Sequence, residues 1–381
     1  MCCCFQITVL WGSRCSGMSF ELRKLEDVCD ILDHMRIPIT SRDRKEGPYP
    51  YYGANGIQDY IDDYIFDDEL VLLAEDGGNF GSKEKPIAYR ISGKTWVNNH
   101  AHVLKPKNII DVDYLCYSLM YYDVSGLVNG ATRQKLTQSE MRKINIRYRS
   151  LEKQRQMVFE IKLISNIISS REHQLSNLNL LVKSRFIEMF GDPYYNPKGW
   201  KSDYLGNYMT TLTDFSANGS YEILDSNVVM YDEPNYAIMV RTTDLEKGDL
   251  TGELKYIDEK AYNLLSKSKL YGGELIMSKI GSAGKIYLMP FINKPASLGR
   301  NAFMFRFNEC INIVFLYTLL NTDYGTNMIQ QHVRGAVTKT ITKESTRKLL
   351  IYVPPIELQN QFADFVAQVD KSKFVVTAKF Q

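Results

Sequence analysis

The chain has 381 residues, of which 44% are hydrophobic, and a formal net charge of +2 at pH 7. At roughly 150 residues per domain this length predicts two or three domains. No apolar run approaches the ~20 residues of a membrane span, so we expect a cytoplasmic protein with no membrane partner. The seven cysteines contain no C-x-x-C pair, so neither a disulfide framework nor a zinc site follows from them.

Residues 1–17 form a cysteine-rich leader. This segment lacks the basic start and the small-residue cleavage site of a signal peptide. We expect the functional chain to begin at Met18, just before residues 19–22 (SFEL), and the leader to be non-functional.

From residue 18 to residue 150 the pattern predicts a mixed α/β domain. It begins with an apolar strand or helix around residues 25–32. Residues 47–56 are rich in Gly, Pro and Asn, which predicts a loop. Short alternating runs then predict strands, with one helix among them. These elements are strands at 69–74, 86–91 and 144–148, and a helix at 112–122.

Residues 151–190 predict one long helix. Apolar residues recur at steps of three and four without internal Gly or Pro, which is a heptad pattern. Forty helical residues make a rod of about 60 Å, and Gly191 and Pro193 end it. A rod of this length needs a partner helix. Its predicted interface residues are Ile161, Ile164, Ile168, Leu175, Leu178 and Val182.

The second half of the chain repeats the first about 205 positions later. Residues 130–131 (GA) return at 335–336, and residues 151–156 (LEKQRQ) return as IELQNQ at 356–361. The period is far longer than the ~20 to 50 residues of a solenoid unit. Each repeat is therefore a whole domain, and we expect the two to be related by a pseudo-two-fold axis.

The second repeat, residues 191–355, predicts the same kind of elements, and a second helix of about two-thirds the length of the first follows at 356–381. We expect the two helices to pair. The predicted strands lie at 274–278, 285–289, 302–307 and 349–353, and the helix at 313–321. The apolar positions of the second long helix are Phe362, Phe365, Val366 and Val369.

Basic residues cluster at equivalent places in the two repeats. Glu140 is the only acid between Arg133 and Arg149, and Glu344 is the only one between Arg334 and Lys348. One such cluster alone is more often a solvated strand edge. Two at equivalent places favour a surface that binds phosphates.

Four segments together resemble one known family, the specificity subunits of Type I restriction-modification systems. They are residues 51–56 (YYGANG), 184–193 (SRFIEMFGDP), 275–285 (LIMSKIGSAGK) and 353–361 (VPPIELQNQ). Each is a weak signal alone, but their order is specific. The resemblance extends from about residue 20 to the C-terminus.

The resemblance implies a fold and a division of the chain. The fold is α/β (α+β), with two similar mixed α/β target-recognition domains joined by long antiparallel coiled-coil helices. The domains would be residues 18–150 and 191–355, and the spacer helices residues 151–190 and 356–381.

The resemblance also implies a function without catalytic chemistry or a cofactor. Each domain would read one half of a bipartite target in double-stranded DNA, and the helices would set the gap between the halves. The subunit would dock methyltransferase (modification) subunits, and restriction subunits would join that core. The whole would be a DNA adenine methyltransferase and Type I endonuclease complex, while this chain is not itself an enzyme.

Candidate DNA-binding residues lie in loops that combine Gly turns with basic or amide side chains. Arg, Asn and Gln suit base edges, and a Gly turn lets backbone approach a phosphate. The three residues 98–100 correspond loosely to 299–301. The candidates are Asn98, Asn99, His100, Asn129, Arg133, Gln134, Lys135, Lys279, Ser282, Lys285, Arg300, Asn301, Arg334, Lys339 and Thr340.

The chain lacks the motifs of two enzyme classes. Residues 192–195 (DPYY) lack the second proline of an adenine methyltransferase motif, and residues 281–286 (GSAGKI) lack the spacing and the Ser/Thr of a P-loop. His100 and His102 have no convincing further ligands, so we expect two surface histidines and no metal.

Two alternatives stay open. Glu253 and Lys255, with Asp232 or Asp244, could belong to a metal-dependent nuclease, although only one repeat contains them. The chain could also be a coiled-coil scaffold with no role on DNA. Loss of DNA affinity with rising salt would separate a scaffold from a DNA-binding protein.

Overall fold

The computed structural model describes residues 20–130, 133–248, 250 and 252–378. The predicted leader, the expected start at Met18 and residues 131–132 lie outside the described residues. The chain divides into two compact units, Met1–Glu172 and His173–Gln381. Among the described helices, none is long and apolar enough to cross a membrane.

The first unit consists of short strands with a few short helices and ends in the first part of the long helix. Its elements are β1 (Glu21–Lys24), α1 (Leu25–Val28), β2 (Cys29–Ile31), β3 (Glu46–Gly53), β4 (Gly56–Ile61), β5 (Phe66–Asp67), β6 (Leu70–Ala74), β7 (Ala88–Ile91), β8 (Lys94–Val97), β9 (Ala101–Pro106), α2 (Val112–Leu119), β10 (Val128–Asn129), β11 (Lys135–Leu136), α3 (Gln138–Met141), β12 (Asn145–Tyr148) and α4 (Leu151–Phe190).

The second unit begins within α4 and repeats this composition. Its further elements are β13 (Ser202–Tyr204), β14 (Met209–Asp214), α5 (Tyr221–Asn227), β15 (Ala237–Val240), α6 (Thr242–Lys247), β16 (Lys255–Ile257), α7 (Glu259–Leu264), β17 (Lys269–Leu270), β18 (Leu275–Ser278), β19 (Ile286–Leu288), β20 (Ala296–Leu298), β21 (Ala302–Phe307), α8 (Ile313–Leu320), α9 (Asp323–Gln331), α10 (Lys343–Arg347), β22 (Leu350–Tyr352) and α11 (Ile356–Ala378).

Both units have the same sheet topology. The first has an antiparallel sheet in the order β2-β9-β6-β7, and the second has β14-β21-β18-β19. A second sheet, β4-β3-β8-β5 in one unit and β16-β15-β20-β17 in the other, contains one parallel pair at its centre. The predicted fold class, two similar mixed α/β domains, is confirmed.

The central strands β6 and β18 are buried on both faces. Leu70 and Leu72 join one core cluster of the first unit, and Val71 and Leu73 join the other. Successive side chains of a strand point to opposite faces, so a continuous apolar run forms the strand shared by two cores. The strands predicted from the sequence at 69–74 and 274–278 correspond to β6 and β18.

The predicted loop at 47–56 is wrong for most of its length. Residues 46–53 form β3 and residues 56–61 form β4, so only Ala54 and Asn55 remain as the turn. A side chain at Gly47 would clash with the backbone of residues 61–62, so this glycine serves a close strand approach instead of a turn.

Helix α11 packs antiparallel against the end of α4 within the second unit. Phe362 lies 5.6 Å from Phe190 and 5.4 Å from Phe186 between ring centroids. One turn further along α11, Phe365 lies under the guanidinium of Arg185. Position along α11 therefore increases as position along α4 decreases. The predicted antiparallel pairing is confirmed for this part of α4.

The repeated motif LEKQ/IELQ places one buried glutamine at the start of each long helix. Gln154 Nε2 donates to the carbonyls of Ile109 and Arg149 at 3.1 and 2.8 Å, and its Oε1 accepts from the Asp111 amide at 2.8 Å. These bonds tie the helix to the loop before α2 and leave no polar atom of the amide unmatched.

Gln359 makes the corresponding bonds in the second unit. Its Nε2 donates to the carbonyls of Cys310 and Pro354 at 3.2 and 2.8 Å, and its Oε1 accepts from the Asn312 amide at 2.9 Å. Both glutamine side chains are fully buried. The sequence repeat thus preserves a hydrogen-bonded attachment between each domain and the helix that follows it.

Candidate nucleic-acid interface

Three segments meet at one end of the main sheet in the first unit. The Glu75 amide donates to the His100 carbonyl at 2.9 Å, and the Leu136 amide donates to the Glu75 carbonyl at 2.7 Å. We call these segments the strand-end turn (residues 75–77), the strand-entry turn (98–100) and the basic hairpin (described residues 129, 130 and 133–135).

The same bonds bring three segments together in the second unit. The Lys279 amide donates to the Asn301 carbonyl at 2.7 Å, and the Ile341 amide donates to the Lys279 carbonyl at 3.1 Å. Here the strand-end turn is 279–281, the strand-entry turn 299–301 and the basic hairpin 334–340. The bonds match residues 98–100 with 299–301, the correspondence noted in the sequence.

The basic hairpins close at equivalent residues. Asn129 pairs with Lys135 between β10 and β11, and Arg334 exchanges backbone hydrogen bonds with Thr340 at 2.8 and 2.7 Å. Gly130 and Gly335 follow the first closing residue with positive φ angles of 101° and 105°. A Cβ at either would clash with backbone across the hairpin, which explains why this glycine recurs in both repeats.

In the first unit, acids of the strand-end turn hold the candidate cations. The Asp76 carboxylate accepts from the Arg133 guanidinium at 2.9 Å and contacts His100 Nδ1 at 2.6 Å. Glu75 pairs with Lys135 at 2.9 Å. These ion pairs fix the cations in place and offset part of their charge.

The second unit has no acid at these two positions of its strand-end turn. Lys279 and Ile280 occupy the places of Glu75 and Asp76. The exposed Arg300 pairs with Asp225 at 3.1 Å and lies over the ring of Phe215. Arg334 and Lys339 therefore cannot form with this turn the ion pairs that Arg133 and Lys135 form in the first unit.

A buried histidine joins the strands beneath the first interface. His102 has no exposed surface, contacts the Asp33 carboxylate through Nδ1 at 2.7 Å, and contacts the Leu136 carbonyl through Nε2 at 2.8 Å. A carbonyl only accepts, so Nε2 donates to Leu136. The predicted surface position is wrong for His102, which is fully buried.

The Asp33 carboxyl is held in its charged form. Burial alone raises its pKa, but the hydrogen bond and charge of His102, the Val103 amide and the charge of Arg36 together lower the pKa below the ordinary value. Burial likewise raises the pKa of Glu75, and hydrogen bonds from Arg36 and Lys135 outweigh it to give a lowered pKa.

These groups form an ion-pair network. The ligand-type atoms of Asp33, Glu75 and His102 lie within 4.8 Å of one another. Both imidazole nitrogens are already hydrogen-bonded, and Arg36 pairs with Glu75 at 2.6 Å. A divalent cation would have to displace Arg36, Lys135 and the hydrogen bonds of the imidazole.

The remaining predicted residues differ in how accessible they are. Asn99, Gln134 and Lys339 are exposed. Asn98 is buried, and its amide donates to Gln58 at 3.0 Å and accepts from the His100 backbone at 2.8 Å. It therefore shapes the strand-entry turn and has no free amide group to offer to a base.

The Gly turn after β18 lies beside the basic hairpin of the second unit. The Gly281 amide donates to the Lys339 carbonyl at 3.0 Å. Ser282 donates to Ser278 at 3.1 Å, and Lys285 pairs with Glu246. Together they line a cleft of about 440 Å³.

The carboxylates of the nuclease alternative are engaged separately. Asp232 pairs with Lys255, Asp244 with Arg241 and Glu253 with Lys247. Among the residues that the model describes, only Asp33, Glu75 and His102 form a cluster with metal-ligand spacing. The nuclease alternative is not favoured.

The predicted helix-interface residues differ in burial. Ile161, Phe362 and Val369 are buried, whereas Ile164 is 41% exposed. The others are half-buried, namely Ile168, Leu175, Leu178, Val182, Phe365 and Val366. The heptad count missed Phe186 and Phe190, which form the aromatic core at the end of α4.

Sequence reasoning also missed the acidic residues of the interface. Asp33, Glu75, Asp76 and Asp214 contact the candidate cations or the residues around them. The available signal was their position, because each stands within two residues of the end of a short apolar strand, at the edge where loops from several strands meet.

Comparisons with known proteins identify the family of the chain. A family model described as Type I restriction modification DNA specificity domain matches residues 18–180 and 206–379. A putative type I restriction enzyme specificity subunit of Haemophilus influenzae, S.HindORF215P, is 37% identical over 130 residues. That match spans 34% of this chain and only 33% of the relative.

A solved structure has a similar fold. The S subunit of a Type-I restriction-modification system from M. genitalium matches with a TM-score of 0.59 at 13% identity, covering 96% of this chain and 92% of that one. At this identity the likeness concerns the fold alone. The family model covers most of the chain in two copies, and the chain belongs to the family of Type I restriction modification DNA specificity domains.

Proposed function

We propose that this chain is the sequence-specific DNA-binding subunit of a cytoplasmic Type I restriction-modification complex. Residues 18–150 and 191–355 each read one half of a bipartite target in double-stranded DNA. Residues 151–190 and 356–381 are the spacer helices. The observation that carries the proposal is the same three-segment interface, with a basic hairpin, in both units.

The chemistry of the interface fits DNA in two ways. Exposed lysines, such as Lys135 and Lys339, contact phosphates and orient each unit on the duplex. Amide and guanidinium groups on the same turns and hairpins, such as Asn99, Arg133 and Arg334, reach base edges in the major groove. Two such readers in one chain fit a split target with a fixed spacing.

The spacer helices dock methyltransferase subunits, and restriction subunits join that complex. Helix α4 supports this part of the proposal because it exposes apolar side chains at helical spacing. Phe159, Leu163 and Ile167 are 67%, 49% and 44% exposed and share one face of the helix. Such a stripe on a water-soluble helix is typical of a protein contact.

The test is to co-express the full chain with its genomically adjacent methyltransferase subunit in a methylation-free host. Single-molecule sequencing then maps the modified adenines. The expected result is one bipartite motif with a fixed gap. Modification without such a motif, or none where a related complex modifies DNA in parallel, would contradict the proposal.

Point variants assign each half of the motif to one unit. Arg133→Ala should relax the half read by the first unit, and Arg334→Ala the other half. Lys201→Ala is the matched control, because its side chain is 77% exposed but lies outside the interface. Lys339→Ala, which removes a phosphate contact, should instead leave the motif unchanged and lower the slope of log affinity against log salt by about 0.9.

A further inference from the structure

We propose that one buried carboxylate in each unit, Asp33 in the first and Asp214 in the second, positions the basic hairpin for reading DNA. This inference rests on the proposed function and deepens it. The two residues lie 8% and 6% exposed beneath the interface, so their role is to hold other groups in place and not to contact DNA.

The two carboxylates occupy the same place in the fold. Asp214 ends β14 directly opposite Phe303 of β21. In the first unit β2 pairs with β9 in the matching register, and the Leu32 amide continues it by donating to the Val103 carbonyl at 2.8 Å. That register sets Asp33 opposite His102. His102 and Phe303 in turn pair with Leu73 and Met277 of the central strands.

Each carboxylate contacts a residue that lies shortly after the hairpin in the chain. Gln138 Nε2 donates to Asp33 Oδ2 at 3.0 Å, and Lys343 Nζ donates to Asp214 Oδ1 at 2.7 Å. Both donors begin a short helix, α3 or α10, three residues after the last hairpin residue. The exit of the hairpin is thereby tied to the first sheet strand of its own unit.

A second donor completes each anchor with different chemistry. In the first unit, the ring of His102 bridges Asp33 and the Leu136 carbonyl. In the second, the Lys279 ammonium donates to Asp214 at 3.1 Å and lies 5.7 Å from the centre of the Phe303 ring. The carboxylate is the shared element, and its partners have changed around it.

The arrangement fixes the hairpin from below. Charge-assisted hydrogen bonds are shorter and stronger than neutral ones, and a buried carboxylate that loses them is costly. Arg133 and Lys135 lie only a few residues before Leu136 and Gln138. A change of about 1 Å at the anchor would therefore move them out of reach of their base or phosphate.

The test compares Asp33→Asn and Asp214→Asn in the same co-expression and adenine-mapping experiment. Asp33→Asn should relax the half of the motif that Arg133→Ala relaxes, with about a tenfold loss of discrimination at one or more base positions. Asp214→Asn should relax the half affected by Arg334→Ala. Asp30→Asn, on the exposed side of β2, is the matched control and should leave both halves intact.

A conservative variant separates positioning from general stability. Lys343→Gln keeps Asp214 and offers it a neutral amide donor like the one that Gln138 offers to Asp33, so the second half should keep its discrimination. A purely structural role would instead lower methylation evenly at all sites and leave the motif unchanged, which would overturn the inference. If Asp33→Asn does not fold, Gln138→Ala removes the same contact from the exposed side.

Failure of the proposed function gives a different result. In that case the wild-type complex itself yields no bipartite motif. A wild-type motif with carboxylate variants that change neither half would refute only the positioning role.

Discussion

Replacing Gln359 by glutamate should destabilise the second unit strongly at neutral pH. The change is isosteric, but it replaces the amide nitrogen, which donates to the carbonyls of Cys310 and Pro354, by an oxygen. Two buried carbonyls then lose their donors, at about 1 to 3 kcal/mol each. The glutamate must also ionise in a fully buried site or stay protonated. We expect a loss of about 3 to 5 kcal/mol in the free energy of unfolding.

The stability of the Gln359→Glu variant should depend on pH, and it should fall as pH rises. Burial against two carbonyls favours the protonated acid, so the folded-state pKa of Glu at 359 lies above its unfolded value. The stability of the variant is then fully present below the unfolded pKa of about 4.3 and is lost as pH rises through the folded pKa, by about 1.4 kcal/mol per unit. The difference from wild type should therefore shrink in acid.

The assay is urea unfolding of the full chain, followed by circular dichroism at several pH values. Gln361→Glu is the matched control, because Gln361 lies on the same helix turn but is exposed, and it should change stability by less than about 0.5 kcal/mol. A Gln359→Glu variant as stable as this control at neutral pH would refute the hydrogen-bond accounting. So would a loss that does not depend on pH.

Three further predictions concern charge and packing. Asp76→Asn frees Arg133 from its ion pair, so affinity for mixed-sequence duplex DNA should rise and its salt slope steepen, measured by fluorescence anisotropy; unchanged binding would mean that Arg133 does not contact DNA. Burial raises the pKa of Asp214, but Lys343 and Lys279 outweigh it and lower the pKa. Its stabilising contribution is therefore present above its unfolded pKa and lost as pH falls through the folded one, and acid unfolding of Asp214→Asn should show a flatter pH profile. Phe362→Ala removes a fully buried ring from the aromatic core and should cost about 3 to 5 kcal/mol in urea unfolding.

Features that repeat at a constant offset could be predicted from the sequence. The glycines of the two hairpins and the two helix-start motifs recur about 205 residues apart. The offset is constant because the segment from the hairpin glycine to the helix start has the same length in both units. Patterning also found β6, β18 and the long helix α4. These elements follow from local periodicity and from Gly and Pro at their ends.

The carboxylate anchors could not be predicted in the same way. The offset between Asp33 and Asp214 differs from the repeat offset of about 205 residues. The reason is that the second unit has additional helices between its first sheet strand and its central strand. Their partners also differ in type, with His102 in one unit and Phe303 in the other at the same sheet position. Only the backbone register reveals that the two aspartates are equivalent.

The buried glutamine at the start of each long helix would let the domain before that helix be exchanged for a related one. Gln154 and Gln359 each donate two hydrogen bonds to carbonyls before the helix and accept one from a backbone amide of the preceding domain. A crossover between related genes just upstream of either glutamine would exchange the preceding domain and leave the attachment of the helix unchanged. Under the proposed function, such an exchange would replace one DNA-reading domain while its joint to the following helix is inherited intact.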